Sequence, residues 1–446
     1  MSHPPRIAVL GASLGGIIAA AELKKQGCDV VVYEKGASVG GLYSKAETPF
    51  GTQELGMHVI YADMRHYTHL CDIFGKSSFH VLHGTDVDKG ASANFGSVYF
   101  KSHYPCLLSH PLRKDILGEI QTIAARNSSN NVASNAEEES LQRFGATGGS
   151  DVVIPILEKL WGQKASELSR HALHCFYDLR RIVVAPKQEA DLLKESQALD
   201  EVIANPDQSK PKGEVFGGRI GLVFRKNCND LSSRAIEWAH RVGLQMKFGC
   251  QVEVCEGRLV VDKKPLKESF DACILSIPLH MLASQLHTQV DKAQLSIYYY
   301  LLNQPLGQEF PSYYILAHSP SFKTSRIVNY RSYRPKDEYS DQAVLAVEAI
   351  HAHGQAPSLK RIQDELYQIL PGVQIQDAYQ MPRSLSVFTP SLKNGKILDR
   401  LEQAVAEDFG KPIYFTGMRT DSGIFFSHHT IGLAYECALD CIKQLS

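Results

Sequence analysis

The first forty residues contain a strand, a tight glycine turn, a helix and a second strand that ends on an acid. The first strand is predicted at Arg6–Leu10, and the turn Gly11–Gly16 follows it directly. A small-residue helix is predicted from Ile17 to Gln26, and a second strand at Asp29–Tyr33 leads into Glu34. This order is typical of a unit that binds a dinucleotide at the start of its helix. It restricts the chain to α/β folds with a parallel sheet.

Each residue of the turn has a distinct physical task in such a unit. Gly11 permits the sharp bend, Gly15 belongs to the same pattern, and Gly16 lets helix and strand pack closely. Glu34 lies 23 positions beyond Gly11, close to the spacing of about 20 at which an acid accepts hydrogen bonds from an adenosine ribose. Ser13 stands where the pattern has its middle glycine. Its hydroxyl is expected to turn away from the pyrophosphate or to reach a phosphate; the alternative is a Rossmann-like unit that no longer binds a dinucleotide.

Length and composition describe an ordinary globular chain. Its 446 residues suggest two domains, since one domain typically has ~100–200 residues. The 47 basic and 48 acidic residues nearly cancel, which gives no electrostatic reason to expect nucleic acid as a partner. The first strand leaves no room for a signal peptide, and no apolar run reaches the ~18–20 residues of a membrane span. We therefore expect a cytoplasmic protein without an integral membrane segment, and a homodimer is compatible with these features.

The cysteines and histidines do not form a recognisable metal site. The ten cysteines include no Cys-x-x-Cys pair, and in a cytoplasmic chain they are expected to be free thiols. His171, His174 and Cys175 have helical spacing, but the acids that a metal site would need do not accompany them. We therefore predict no metal ion.

The rest of the chain alternates between helical and strand-like segments. A polar stretch at 126–150, rich in Asn, Ser, Gly and Glu, is predicted to be a flexible insertion without core-forming residues. Ile154–Phe176 is predicted to be helical. Between 295 and 350, four closely spaced strand candidates leave no room for helical crossovers and predict a largely antiparallel sheet. A final helix is predicted from about Thr430.

Four separated stretches resemble the superfamily of flavin-containing amine oxidases, protoporphyrinogen oxidases and UDP-galactopyranose mutases. They are the N-terminal fingerprint, Val39-Gly40-Gly41, the central region from Gly218 to Pro278, and the segment from Tyr414 to Ala438. The glycine pair is similar to the second FAD-contacting turn of this group. The resemblance covers FAD binding well and the substrate site poorly.

Two details resemble the mutases in particular. Gly56-Met57-His58-Val59 is similar to their glycine-x-histidine stretch beside the flavin, and Leu160-Trp161-Gly162 is similar to their helix motif around a tryptophan. The loop from Gly417 to Phe426 resembles the one that meets the flavin ring. It departs from the mutase pattern at Met418, which separates the glycine from Arg419.

The resemblance implies a fold and a cofactor. The fold is α/β, with a Rossmann-like, glutathione-reductase-like FAD-binding domain and an inserted α+β substrate domain that contains a mainly antiparallel sheet. The FAD-binding domain would comprise 1–75, 215–290 and 385–446, and the substrate domain 76–214 and 291–384. FAD is expected to be noncovalent, because the C-terminal loop has no cysteine. The expected contacts are Gly11, Ser13, Gly15, Gly16, Glu34, Lys35, Gly40, Gly41, Leu42, Gly56, Val252, Gly417, Ile424 and Phe425.

His58 and Arg419 are expected near the flavin ring and are the predicted catalytic residues. A structural histidine that only makes hydrogen bonds is the alternative for His58. Val252 is expected to pack on the adenine. The positive end of the last helix should face the N1–C2 edge of the flavin and favour the charge of its reduced form.

Substrate recognition is expected from the inserted domain. Arg326, Tyr330, Arg331 and Arg334 lie on or beside one aromatic strand candidate, and the predicted contacts are the first three of them together with Trp161. In a strand Arg326 and Tyr330 would face the same way, and a guanidinium beside a tyrosine suits a phosphate or a carboxylate. The alternative is a set of solvated residues on an edge strand.

Three functions compete. The first is an FAD-dependent oxidoreductase that transfers hydride from a small-molecule substrate to flavin N5. The second is a flavin enzyme without net redox change, of the UDP-galactopyranose mutase type, that acts on a nucleotide sugar. The third is a flavin-free binding protein on the same fold, which the serine at position 13 keeps open.

Overall fold

A computed structural model describes most of the chain. The described residues are 3–43, 45–86, 88–94, 97–126, 132–207, 220–225, 230–255, 258–266, 270–283, 289–307, 310–338 and 343–445. Gly218, where the central region of resemblance begins, and Cys228 lie outside these ranges.

Strands and helices alternate along the chain, with strands predominating in the middle. The strands are β1 Arg6–Leu10, β2 Asp29–Glu34, β3 Lys45–Thr48, β4 Gly51–Glu54, β5 Ile60–Ala62, β6 Phe79–Leu82, β7 Gly90–Asn94, β8 Ser97–Tyr99, β9 Ile220–Phe224, β10 Gln245–Phe248, β11 Val252–Cys255, β12 Arg258–Val261, β13 Lys264–Pro265, β14 Ala272–Leu275, β15 Lys292–Leu302, β16 Tyr314–Ala317, β17 Arg326–Asn329, β18 Ala343–His351, β19 Ile375–Gln380, β20 Leu385–Phe388 and β21 Ile413–Phe415. The α-helices are α1 Leu14–Lys25, α2 Met64–Phe74, α3 Arg113–Ala125, α4 Ala136–Gly148, α5 Ile154–Trp161, α6 Lys187–Leu193, α7 Gln197–Asp200, α8 Asp230–Arg241, α9 Leu279–Ala283, α10 Tyr330–Tyr333, α11 Leu359–Ile369, α12 Leu392–Phe409 and α13 Ser427–Leu445.

A five-stranded parallel sheet carries the N-terminal unit. Its order is β10-β2-β1-β14-β21, and every neighbouring pair is parallel. Central strands of such a sheet are buried on both faces, which explains why β1 and β2 are almost continuously apolar. Helices α1 and α13 pack on one face, and the three-stranded β11–β13 sheet, α9 and α12 contribute to the core on the other. The Rossmann-like fold class predicted from sequence is confirmed.

A second, eight-stranded sheet has the order β19-β15-β18-β17-β16-β7-β8, with β20 paired to β15. All its pairings are antiparallel except β16 with β7. The prediction of a largely antiparallel sheet is therefore confirmed. Strand β17 lies between β16 and β18, so the alternative that Arg326 belongs to a solvated edge strand is wrong. Tyr330 is not part of this strand but begins α10.

The polar stretch at 126–150 is more ordered than its composition suggested. Residues 127–131 are outside the described ranges, but Ala136–Gly148 forms a helix. Phe144 on this helix is fully buried in the core beside the large sheet. The expectation of a segment without core-forming residues is wrong.

Two further boundaries differ from the predictions. The helix expected over Ile154–Phe176 ends at Trp161, because Gly162 adopts the left-handed conformation that terminates helices. The last helix starts at Ser427 rather than near Thr430.

The described part of the chain contains no helix with the length and apolar character to cross a membrane. Within those residues no set of three or more His, Cys, Asp or Glu side chains is arranged to hold a metal ion. The nine cysteines that the structure describes are free thiols.

Candidate functional site

The turn between β1 and α1 is closed by backbone contacts that exclude side chains. Gly11 has φ +102°, and its N–H donates to the Tyr33 carbonyl at 2.8 Å. A Cβ on Gly16 would lie 2.1 Å from the Gly11 carbonyl oxygen, and a Cβ on Gly15 would lie 3.2 Å from the Thr430 carbonyl oxygen. These glycines therefore let α1 pack against β1 and against the start of α13.

Ser13 takes part in the turn instead of obstructing it. Its Oγ caps α1 by accepting a hydrogen bond from the Gly16 N–H at 3.2 Å. The same oxygen lies 2.7 Å from Ser276 Oγ, at the end of β14. The serine thus replaces the middle glycine without disrupting the helix N-terminus.

The Glu34 carboxylate connects the first glycine turn with the segment that follows β2. Its Oε2 accepts from the Ala12 N–H at 2.7 Å, and its Oε1 accepts from the Gly36 N–H at 2.7 Å. The segment before β11 runs alongside, since the Cys250 N–H donates to the Glu34 carbonyl at 2.9 Å. Val252 is buried at the start of β11, and Lys35 is exposed.

The second glycine turn returns to the first. The Gly40 N–H donates to the Ala12 carbonyl at 2.9 Å, and both Gly40 and Gly41 have positive φ, +114° and +59°. Leu42, whose backbone alone is described, lies in the short 3-10 turn Gly41–Tyr43. We call the turn Gly11–Gly16, Glu34 and the pair Gly40–Gly41 the cradle.

Three segments converge beside the cradle. The Tyr43 and His58 rings lie 4.8 Å apart, and the Tyr43 hydroxyl is hydrogen-bonded to Ser427, the first residue of α13. Burial lowers the pKa of His58 below its ordinary value, against the opposing effect of Glu54 and Glu348. The imidazole is therefore neutral at pH 7. Sequence reasoning predicted His58 here but missed Tyr43 and Ser427.

Gly56 brings the stretch before His58 against the large sheet. A Cβ at Gly56, which has φ +90°, would lie 2.3 Å from Glu348 Oε1. The Met57 N–H donates to the same oxygen at 3.2 Å. Gly56 was predicted to contact the cofactor. In the structure it allows the backbone to approach the buried Glu348 carboxylate closely, a role that was not predicted.

The C-terminal loop is held rigidly by Arg419. Its guanidinium binds Asp421 at 2.8 Å, Glu402 at 2.6 Å and Asp399 at 2.7 Å, and these acids raise its pKa. The backbones of Arg419 and Ile424 exchange two hydrogen bonds of 2.9 Å. Arg419, predicted to be catalytic, thus directs its charge toward carboxylates that tie the loop to α12.

The ends of this loop face other parts of the predicted site. A Cβ at Gly417 would lie 2.6 Å from the Ile277 carbonyl oxygen, so the loop leaves β21 in close contact with the end of β14. Phe425 follows Ile424, and the centroid of its ring lies 6.2 Å from that of Phe176. Phe176 in turn stacks on the Arg326 guanidinium at 4.7 Å.

Five charged side chains in this part of the molecule are each at most 17% exposed. Arg326 binds Glu348 through two hydrogen bonds of 3.0 and 2.9 Å, and Arg334 binds Glu54 at 2.7 Å. Asp88 accepts from the Tyr314 hydroxyl at 3.1 Å. We call Glu54, Asp88, Arg326, Arg334 and Glu348 the polar wall.

Tyrosines enclose the polar wall. The hydroxyls of Tyr299 and Tyr330 donate to the Glu54 carbonyl at 2.7 and 2.9 Å, and Tyr333 donates to the Glu54 carboxylate at 3.3 Å. Burial raises the pKa of Tyr330 and Tyr333 well above the ordinary value. Sequence reasoning identified Arg326, Tyr330 and Arg334 here and missed the three acids.

The two remaining predicted substrate contacts lie in different surroundings. Trp161 is buried in the core at the end of α5, and its Nε1 has no hydrogen-bond partner within the described ranges. Arg331 is half-buried on α10.

Comparisons with known proteins agree with this architecture. The family described as NAD(P)-binding Rossmann-like domain matches residues 9–77. No curated protein sequence matches the chain. Reduced UDP-galactopyranose mutase has a TM-score of 0.67 at 14% identity, over 99% of this chain and 96% of that one.

Two other solved structures are similar over their whole length. A protein of Exiguobacterium sp. 255-15, provisionally named a protoporphyrinogen oxidase, has a TM-score of 0.61 at 15% identity and 100% coverage of both chains. Putrescine oxidase bound to putrescine has a TM-score of 0.59 at 14% identity, over 99% of each chain. The chain therefore has a Rossmann-like dinucleotide-binding fold, and its architecture is shared with amine oxidase, protoporphyrinogen oxidase and mutase structures.

Proposed function

We propose that the chain binds FAD noncovalently and is an oxidoreductase that removes hydride from a small-molecule substrate. The observation that carries the proposal is the convergence of both glycine turns, His58 and the start of α13 in one place. In this proposal 1–75, 215–290 and 385–446 bind FAD, and 76–214 and 291–384 bind the substrate.

The cradle has the properties that a pyrophosphate requires. The N-terminus of α1 carries backbone N–H groups and a partial positive charge, and the turn leaves no room for a side chain at Gly16. Ser13 supports this reading, because its hydroxyl is engaged with Gly16 and Ser276. Each oxygen of Glu34 accepts one N–H, which leaves lone pairs for a ribose hydroxyl.

When bound, FAD supplies a two-electron acceptor at N5. The residues of the chain would orient it and exclude water. The positive end of α13 favours negative charge beside its first turn. His58, neutral through its lowered pKa, can accept a proton at pH 7. Phe176 packs on the Arg326 guanidinium, and Phe425 lies beside Phe176.

The visible absorption spectrum of the purified, dialysed protein tests the proposal. Two flavin bands are expected, with the flavin released by denaturation because it is not covalently attached. Anaerobic addition of an oxidisable substrate should then bleach the longer-wavelength band. A protein that stays colourless with added FAD would remove both flavin functions and favour the flavin-free binding protein.

One observation favours a second candidate, a mutase without net redox change. Reduced UDP-galactopyranose mutase gives a TM-score of 0.67, above the other two structures described. The two candidate functions can be distinguished by whether each turnover transfers electrons out of the substrate. A mutase requires reduced flavin and consumes no reductant per turnover, whereas an oxidoreductase transfers electrons from every substrate molecule to an acceptor.

A further inference from the structure

Phe176 has a backbone conformation that a bulky residue rarely adopts. Its φ is +69°, and the Tyr177 N–H donates to the Cys175 carbonyl at 2.9 Å, which closes a three-residue γ-turn around Phe176. A γ-turn with positive φ at its central residue is the rare, strained form. Such strain persists only where the surrounding structure enforces it, and it is concentrated at functional sites.

Two other non-glycine residues with positive φ in the described ranges have an ordinary explanation. Asp262 and Lys263 form the two-residue turn between β12 and β13, with φ values of +50° and +64°. The favoured hairpin turn of this length has positive φ at both positions. Phe176 lies outside any such turn and is only 5% exposed. Its conformation therefore has a different cause.

The residues on either side of Phe176 are held by different parts of the molecule. The Cys175 thiol donates to the Thr420 carbonyl at 3.3 Å, in the C-terminal loop. The Tyr177 hydroxyl donates to the Ser325 carbonyl at 2.7 Å, beside strand β17 of the large sheet. Both side chains are fully buried. The chain therefore passes from the loop to the sheet within three residues, and this short passage enforces the turn at Phe176.

The Phe176 ring also contacts both the loop and the sheet. Its centroid lies 6.2 Å from that of the Phe425 ring at an interplanar angle of 71°, an edge-to-face arrangement. The Arg326 guanidinium carbon lies 4.7 Å from the Phe176 centroid, within the range of a cation–π interaction. Because the neighbours of Phe176 are held, a negative φ would redirect its Cα–Cβ bond, and the ring would lose these two contacts.

Arg326 extends this contact to the stretch Gly56–His58. Its guanidinium binds Glu348 through hydrogen bonds of 3.0 and 2.9 Å, and Glu348 Oε1 accepts from the Met57 N–H at 3.2 Å. The C-terminal loop and the Gly56–His58 stretch, which are both predicted to lie beside the flavin, are thus connected through one aromatic ring.

We propose that Phe176 is a positioning residue that holds the C-terminal loop, Gly417–Phe426, and the Gly56–His58 stretch at a fixed separation across the predicted flavin site. This inference rests on the proposed function and deepens it, because it names a residue that sets the shape of the site through Phe425 and Arg326. The strained turn is retained because it is the conformation in which one ring reaches both.

Hydrogen–deuterium exchange of the full chain in excess FAD, followed by mass spectrometry, tests the inference. Phe176→Leu retains an apolar side chain at the same backbone position but has no aromatic face, and Phe176→Gly removes the ring and the strain together. In both variants exchange should accelerate about tenfold in peptides covering 417–426 and in peptides covering 55–58, as expected when an aromatic pair and a cation–π contact are lost. Exchange in helices α4 and α5, which belong to the same core, should change much less.

Two matched controls separate the position from the type of change. Phe270→Leu also removes a buried ring that lies 5.2 Å from an arginine, Arg6 at the start of β1. Lys263→Gly also relieves a positive φ, in the turn between β12 and β13. Neither control should change the exchange of peptides covering 417–426 or 55–58.

Equilibrium dialysis with FAD relates this result to the proposed function. The dissociation constant of FAD should rise about tenfold in Phe176→Leu, because both segments beside the flavin are loosened. It should stay unchanged in Phe270→Leu.

Wild-type exchange in either segment of Phe176→Leu, or an equal rise across α4 and α5, would overturn the inference. If Phe176→Gly does not fold, Phe176→Leu alone decides. Faster exchange in both segments with wild-type FAD affinity would contradict the proposed flavin site and support the connection through Phe176. A wild-type protein that binds no FAD would contradict the proposed function, and exchange would still decide whether Phe176 holds the two segments.

Discussion

The cradle and the polar wall are built by opposite means. The cradle consists mainly of backbone: glycines with positive φ, a helix N-terminus, and Glu34 holding two backbone N–H groups. The polar wall consists of charged side chains with little exposure, four of which form two arginine–carboxylate pairs. A backbone site tolerates little change in shape, because a Cβ at Gly16 would collide with the Gly11 carbonyl oxygen and the positive φ of Gly40 and Gly41 disfavours other residues. A site of paired charges tolerates little change in charge, because any lost partner leaves an ion without solvent.

The largest effect is expected from breaking a charge pair in the wall. Glu348→Leu leaves Arg326 buried without its carboxylate and should reduce the free energy of unfolding by about 3–5 kcal/mol. Chemical denaturation measures the change. The exposed Glu407→Leu on α12 is the control and should stay within about 0.5 kcal/mol of wild type.

The double variant Arg326→Met/Glu348→Leu sharpens this result. It removes both charges, so most of the lost stability should return. A double variant as unstable as Glu348→Leu would mean that packing around Gly56, and not the unpaired charge, determines the loss.

The second-largest loss of stability is expected from a change of shape in the cradle. Gly16→Val places a side chain 2.1 Å from the Gly11 carbonyl oxygen, and such overpacking should destabilise the protein by about 3 kcal/mol. Bound FAD should be lost with it. Gly118→Ala is the control, since its Cβ meets nothing within 4 Å on the exposed side of α3. That change should stabilise slightly, and unaltered FAD content in Gly16→Val would argue against the cradle.

A smaller effect is expected where the cradle uses a side chain. Glu34→Ala should leave the protein folded but weaken FAD binding about 10- to 100-fold, because charged hydrogen bonds to the ribose are lost. Equilibrium dialysis with FAD measures the affinity. Glu47→Ala, on the exposed β3–β4 hairpin, serves for comparison. Full flavin occupancy in Glu34→Ala at low FAD concentration would exclude Glu34 from the site.

The smallest effect concerns pH and the histidines near the C-terminal loop. Burial lowers the pKa of His174 from 6.5 to about 4, helped by Arg180. Between these values the unfolded chain binds a proton at this residue that the folded chain does not. Stability is therefore complete above pH 6.5 and falls toward pH 4, by about 1 kcal/mol after allowance for partial exposure.

In His174→Asn this part of the pH dependence should disappear, whereas in the exposed His353→Asn it should persist. Denaturation at pH 7 and pH 5 provides the measurement. If the free energy of unfolding fell equally between pH 7 and pH 5 in wild type and in His174→Asn, the acid sensitivity would belong to other groups.

The cradle could be predicted from sequence because its parts are close together in the chain. Strand, turn, helix and acid span residues 6 to 34, and their hydrophobic pattern fixes how they pack. The pair Gly40–Gly41 was predicted from a resemblance to an FAD-contacting turn, and the structure places it against the first turn through the hydrogen bond from Gly40 to Ala12. Its binding of FAD stays a prediction.

The polar wall could not be predicted in the same way. Glu54 and Arg334 are 280 positions apart, and Met57 is 291 positions from Glu348. No local pattern brings such residues together, and a single arginine on a strand is equally compatible with an edge or an interior position. Only the order β16-β17-β18 places Arg326 inside the sheet.

Helix α4 was missed although a local signal for it existed. Asn135 caps the helix by accepting from the Glu138 N–H, and Glu138 accepts in return from the Ser134 N–H. This resembles a capping box, except that Glu138 accepts from the residue before the cap and not from the cap itself. The polar composition of 126–150 concealed it, because three consecutive glutamates in the first turn suggest a solvated segment when their position is ignored.

The contact of Gly15 with Thr430 also has a consequence for how the protein forms during synthesis. Strand β1 acquires its neighbour β14 only after residue 275 has been translated, and α1 acquires its covering helix only after residue 430. Until α13 has been synthesised, the small-residue face of α1 in the nascent N-terminal unit therefore stays uncovered, although the sequence pattern of that unit is already complete. In a fragment that ends at residue 77, where the family match ends, this face of α1 would remain uncovered.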